Sequence, residues 1–121
     1  MADRALFIGW GQTVRGREER ALEVFSEAVG LYGRMQQEGR IEKFDVCLLE
    51  PHGGGLDGYI ALYGSEDQIG SVRADTDFQR NLVDANLVVD ELGVVAGWVN
   101  EGVAHQMAMF TEAIARVPQP A

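Results

Sequence analysis

The sequence predicts an α+β domain built on the split βαβ plan, and three observations carry that reading. Hydrophobic periodicities of two and of 3.6 alternate in the order strand, helix, strand, strand, helix, strand, helix; the stretches between them are short; and the expected strands are apolar on both faces. A chain of 121 residues lies in the range of one domain and buries about two-thirds of the surface of its unfolded form. Residues 1–121 are therefore read as a single unit, with a core over about 4–99 and a C-terminal helix over about 101–117.

The first strand is Ala5-Leu6-Phe7-Ile8-Gly9-Trp10, short and β-favouring, and it stops at Gly11. After the loop Gln12 to Gly16, Ala21, Phe25, Ala28, Tyr32 and Met35 recur at spacings of four and three until Gly39, which predicts a long amphipathic helix. Gly30 and Gly33 lie inside it, each costing about 1 kcal/mol relative to Ala, and are expected either to admit another backbone or to make room for a ligand. Ile41 to Leu49 and Leu56 to Tyr63 read as a hairpin around Pro51-His52-Gly53-Gly54-Gly55. Ser65-Glu66-Asp67-Gln68 has the form of a capping box, and Thr76-Asp77-Phe78-Gln79 repeats it. The second helix is thus expected in two pieces broken around Ala74-Asp75, the second with a stripe of Phe78, Leu82, Ala85 and Val89. Val94 to Val99 is the fourth strand, and Asn100 is placed to cap a last helix that ends before Pro118. Its seam is Val103, Met107, Phe110, Ile114 and Val117.

These elements make a ferredoxin-like βαββαβ core with an added C-terminal helix and a four-stranded antiparallel sheet. With helices on one side only, the other face of such a sheet should alternate to polar. Here Phe7 with Ile8, Cys47 with Leu48 and Leu49, Ile60-Ala61-Leu62 and Val94-Val95-Ala96 supply apolar groups to both faces. Leaving several hundred Å² of that surface wet would forgo on the order of 10 kcal/mol at about 25 cal/mol per Å². A second copy of the same sheet is the economical cover, which predicts a sheet-to-sheet homodimer.

In these features the chain resembles the dimeric α/β-barrel superfamily, in which two ferredoxin-like subunits pack sheet to sheet. The resemblance runs from Leu6 to about Val99 and is carried best by Ser65-Glu66-Asp67, Asp77-Phe78-Gln79-Arg80 and Leu92-Gly93-Val94-Val95. It implies the fold and the dimer. The superfamily spans cofactor-independent monooxygenases, haem-degrading enzymes, isomerases and members without assigned chemistry, so the fold selects no activity. Haem-degrading members pair an asparagine near the first strand with a histidine on the second helix; Leu6 to Trp10 holds no asparagine and Thr76 to Val89 no histidine.

Composition narrows the function classes. Nineteen Asp and Glu against ten Lys and Arg give a net charge of −9, which repels phosphate backbones and anionic lipid surfaces, so neither nucleic acid nor a membrane is an expected partner. No apolar run approaches the roughly 20 residues of a membrane helix, and the first residues lack a secretory pattern; the cytoplasm is the expected location. Cys47 is the only cysteine and reads as a small buried hydrophobe.

The candidate chemistry is sparse. Gly53-Gly54-Gly55-Leu56-Asp57-Gly58 spells G-x-G-x-x-G, but it leads into a strand rather than the helix a dinucleotide site requires. Glu50, His52 and Asp57 offer one imidazole and two carboxylates, too few nitrogen or sulfur ligands for a structural zinc site, and His105, two residues after Val103 and two before Met107, lies off the seam of the last helix and reads as a surface histidine rather than a haem ligand with Met107 or Met109. No metal or cofactor is implied. His52, as a general base on a hairpin that folds over a pocket, and Tyr63, through its hydroxyl, are the candidate catalytic residues. Trp10, Tyr59 and Trp98 are candidate ligand-binding walls, because the resemblance implies aromatic substrates held between sheet and helices. Arg15, beside Arg17 after the first strand, is a candidate anion contact. Two functions follow: a homodimer that binds or transforms a small aromatic metabolite without a cofactor, monooxygenase- or isomerase-like, or a non-catalytic structural or regulatory dimer. A cavity of several hundred Å³ with a polar side chain turned inward favours the first.

Overall fold

The computed structural model describes residues 1–118 and 120 and shows four strands and four helices. In chain order these are β1 (Arg4–Trp10), α1 (Glu18–Gln37), β2 (Lys43–Leu48), β3 (Gly58–Gly64), α2 (Glu66–Ala74), α3 (Thr76–Asn86), β4 (Gly93–Trp98) and α4 (Glu101–Ile114). The sheet order is β2-β3-β1-β4, with every neighbour antiparallel. This is the ferredoxin-like arrangement.

Register decides which side chains meet. Leu6 lies between Leu62 and Ala96, and Ile8 between Ile60 and Val94. These residues face the helices, and Leu6, Ile8, Ile60 and Leu62 are buried. Ala28, Leu31, Tyr32 and Met35 of α1 close on them, with Ile69 and Val72 of α2 and Phe78 of α3. The 3.6-residue spacing of the α1 stripe therefore becomes one side of the core.

The helix ends follow local chemistry. Gly39 takes φ +74° after α1, its N–H donates to the Gln36 carbonyl and the Arg40 N–H to that of Met35; this Schellman closure places glycine in the left-handed region, where it costs least. Ser65 caps α2 in the expected capping box with Gln68. At α3 the cap falls one residue earlier than the Thr76 pattern suggests: Asp75 Oδ1 accepts the Phe78 N–H at 2.9 Å, because an Asp side chain at that position already reaches the third amide. Asn100 precedes α4 with φ +52° but makes no side-chain cap; its Nδ2 donates to the Ala2 carbonyl at 2.8 Å and ties the helix start to the head of β1. Gly102 completes that joint, since a Cβ there would collide with the Asp3 carbonyl oxygen.

Two expectations about small residues are corrected. A Cβ at Gly33 would meet nothing within 4 Å, and one at Gly30 only the Arg34 guanidinium at 3.5 Å, so neither glycine admits a backbone or a ligand within the chain. Cys47 is partly exposed rather than buried, because it alternates with the inward Val46 and Leu48 and points to the helix-free face.

Candidate functional site

Sheet, α1 and α3 do not close completely. They leave an apolar cavity of about 410 Å³, floored by Ile8, Trp10 and Ile60, walled by Val24, Phe25 and Ala28 of α1 and by Leu82 and Ala85 of α3, and open beside Leu22 and Leu48. Its far end is formed by the segment after α3: the Val14 N–H donates to the Val88 carbonyl at 2.8 Å and the Asp90 N–H to the Gln12 carbonyl at 2.8 Å, which brings Val88 and Val89 against the cavity. The volume is in the usual range of small-molecule sites.

Trp10 holds its place for a clear reason. Its strand partner is Gly58, and a Cβ there would lie 2.8 Å from the indole; without one, the ring sits close over that glycine and makes an edge-type contact with Phe25, centroids 6.0 Å apart. The expected wall at Trp10 is thus part of this cavity.

The other expected site residues do not join it. Trp98 also closes a strand, but β4 runs antiparallel to β1 and pairs Trp98 with Arg4, so the two indoles stand at opposite ends of the sheet; Trp98 instead packs under the Arg4 guanidinium, 5.1 Å from the ring centroid. Tyr59 and Tyr63 alternate with the buried Ile60 and Leu62 and must face the other way. On that outer face Tyr59 stacks on Phe7 at 5.2 Å, and Tyr63 lies under the Lys43 ammonium at 4.8 Å. Burial, and then the Asp45 carboxylate, raises the Tyr63 hydroxyl above its ordinary value, while the neighbouring Cys47 raises that of Tyr59. His52 sits in the exposed β2–β3 connection with both ring nitrogens engaged, Nε2 with the Leu56 carbonyl at 2.7 Å and Nδ1 accepting the Gly54 N–H at 3.2 Å. Its ring is tied to its own loop rather than folded over the cavity. Arg15 is exposed in the loop after β1, away from the cavity lining. Among the described residues no three His, Cys, Asp or Glu side chains come together as a metal cluster.

Of the four polar residues on the lining, Thr13 and Glu18 are exposed, and the two buried ones are not among the site residues the sequence suggests. Tyr32 and Asn81 both line it, at 1% and 8% exposure. Tyr32 reads from sequence as one more ring in the α1 stripe. Asn81 carries a signal, being a lone amide three residues after Phe78 on the face of α3 that turns inward.

A four-stranded ferredoxin-like sheet with an apolar cavity under its helices is the class the fold and site define. No family model matches the sequence, and no curated protein is significantly similar to it. Solved structures do match. A hydroxynitrile lyase from Passiflora edulis is 11% identical with a TM-score of 0.61, covering 84% of this chain and 97% of its own. A dimeric ferredoxin-like protein of unknown function from Jannaschia is 10% identical with a TM-score of 0.59, covering 80% and 98%. SnoaB, a cofactor-independent oxygenase from Streptomyces nogalater, is 15% identical with a TM-score of 0.50, covering 82% and 93%. At such identities the shared property is the fold, and it is the one the sequence resemblance implies.

Proposed function

We propose that this chain is a homodimeric small-molecule protein whose ligand, an uncharged ring-shaped metabolite, occupies the cavity between the sheet and helices α1 and α3. The observation that carries the reading is the cavity itself, about 410 Å³ of space lined almost wholly by apolar side chains and open to solvent beside Leu22 and Leu48. Empty apolar space of that size forfeits packing contacts that a filled core would make, and a ligand restores them. The two neighbours named for a hydroxynitrile lyase and for a cofactor-independent oxygenase support testing for turnover of the bound molecule. Among the described residues Tyr32 is the only phenol on the lining, so proton-moving roles at His52 and Tyr63 find no support in their placement.

The second subunit is proposed to cover the outer face of the sheet, where Phe7, Tyr59, Ala61, Tyr63 and Val95 form an apolar band with no helix over it. Neighbours described as dimeric support this. The same face serves the alternative reading, a dimer without a ligand.

Naphthalene is a suitable first probe. Equilibrium dialysis is expected to show saturable binding of one molecule per subunit, lost in Ala85→Phe, which places a ring in the cavity. Absence of saturable binding to the wild type, together with mass spectrometry of natively purified protein showing no retained small molecule, overturns the ligand reading and leaves the non-catalytic dimer.

A further inference from the structure

The cavity is apolar but not featureless: beside Thr13 and Glu18, which are exposed, its lining carries two buried polar residues, Tyr32 and Asn81. Asn81 donates from Nδ2 to the Val24 carbonyl at 3.2 Å, which leaves its Oδ1 with no donor among the described residues. The Tyr32 ring is fixed by edge contacts with Phe44 and Phe78, centroids 6.0 and 6.3 Å away, yet its hydroxyl meets no partner among the described residues. No side-chain nitrogen or oxygen there is both sealed from solvent and unpartnered. These two atoms therefore reach open space, and the space that both residues border is the cavity.

Left unpaired within the protein, the Tyr32 hydroxyl on α1 and the Asn81 amide oxygen on α3 keep hydrogen-bonding capacity that a ligand in the cavity can use in place of solvent. The charge of that ligand follows from what surrounds it. The lining holds no Lys, Arg or His, and its one carboxylate, Glu18, is exposed and accepts the Gly16 N–H. A carboxylate or phosphate would be buried without a counter-charge, and an ammonium without an anion. Burial also raises the Tyr32 hydroxyl far above its ordinary value, so this group stays a donor and does not become a phenolate.

We infer that Tyr32 and Asn81 form a hydrogen-bonding subsite for the single neutral oxygen function, a hydroxyl or a keto group, of an otherwise apolar ring compound. The inference rests on the cavity being a ligand site, as proposed above. Tyr32 donates to the ligand oxygen; Asn81 Oδ1 accepts from a ligand hydroxyl.

The test compares naphthalene, 2-naphthol and 2-naphthoate by equilibrium dialysis against wild type, Tyr32→Phe and Asn81→Leu. The expected result is 2-naphthol binding at least about tenfold tighter than naphthalene to wild type, with that ratio falling toward one in either variant while naphthalene affinity holds; 2-naphthoate binds weakest. Tyr32→Phe removes one oxygen and keeps the ring, so it retains the fold even if Asn81→Leu does not. Equal affinity of wild type for naphthalene and 2-naphthol, a ratio unchanged in Tyr32→Phe, or tightest binding of 2-naphthoate overturns the subsite and leaves the cavity reading standing. Failure of all three probes to bind wild type, with no small molecule retained in natively purified protein, overturns both.

Discussion

At the scale of single residues, the helix α1 stores a correctable cost. Gly33 lies in its interior, and a methyl group added there would meet open space. Glycine in a helix is about 1 kcal/mol less favourable than alanine, because the unfolded chain has more freedom to lose. Gly33→Ala should stabilise the protein by about 0.5–1 kcal/mol, raising the thermal midpoint by a few degrees. Calorimetry checks this, and an unchanged or lower midpoint would show that this surface is covered in the native assembly. The residue scale is also where sequence reading of the site is weakest. Trp10 and Trp98 look equivalent in the sequence, each closing a strand, and only the antiparallel pairing of β1 with β4 separates them by the length of the sheet. The resemblance implies Tyr59 between sheet and helices, yet Ile60 and Leu62 claim that side for the core, and alternation turns both Tyr59 and Tyr63 to the other face once the buried set is known.

At the scale of elements, most of the architecture was legible. Ser65 and Gln68 announce α2, the break around Ala74-Asp75 is where the structure has it, and Gly39 stops α1. Such signals are local, so a sequence displays them directly. The cavity is not local: it arises where α1 and α3, joined to each other through Asn81 and the Val24 carbonyl, fail to fill the space over Ile8 and Ile60, and no spacing within either helix records that. The junction of α2 and α3 makes a sharp prediction. Asp75 caps α3 through Oδ1, and its Oδ2 accepts from Arg40 Nη2 at 2.8 Å. The Arg40 hydrogen bond, then the Phe78 N–H, hold its carboxyl below the ordinary carboxylate value. A pKa lowered by folding gives stability that is fully present above the unfolded-state value, near 3.9, and is lost as pH falls toward the folded one. Asp75→Ala should cost about 2–3 kcal/mol at neutral pH, the sum of a lost cap and a charge-assisted hydrogen bond. Asp75→Asn keeps the cap and should cost less. Denaturant melts at pH 7 and pH 3 measure both, and the wild-type advantage over Asp75→Asn should shrink at the lower pH; an advantage independent of pH would remove the ion pair from the account.

At the scale of the whole molecule, the question is what lies against the outer face. Phe7 and Val95 are cross-strand partners there, Val95 is 59% exposed, and outward positions Gly93 and Gly97 have nothing above them within 4 Å. A sheet face of small and apolar residues is one that a second sheet approaches to the usual separation of about 10 Å. The last helix raises the same question from another side: α4 is anchored by Asn100 and Gly102 at its start, yet Val103, Met107 and Phe110 along it are 46–60% exposed. These two apolar surfaces separate cleanly by mutation. In an isolated subunit Val95→Asp replaces one exposed side chain by another and should alter stability by no more than about 0.5 kcal/mol. Between two packed sheets it buries an uncompensated carboxylate and should weaken association at least a hundredfold, about 2.7 kcal/mol. Sedimentation equilibrium of wild type and Val95→Asp over micromolar concentrations reads that difference. If wild type sediments as a dimer and Val95→Asp as a folded monomer, the sheets are the interface. If both sediment as dimers of equal affinity, the pairing uses another surface, and removal of residues 100–121 shows whether it is the seam of α4. A wild type that sediments as a monomer would leave the outer band uncovered and overturn the homodimer outright.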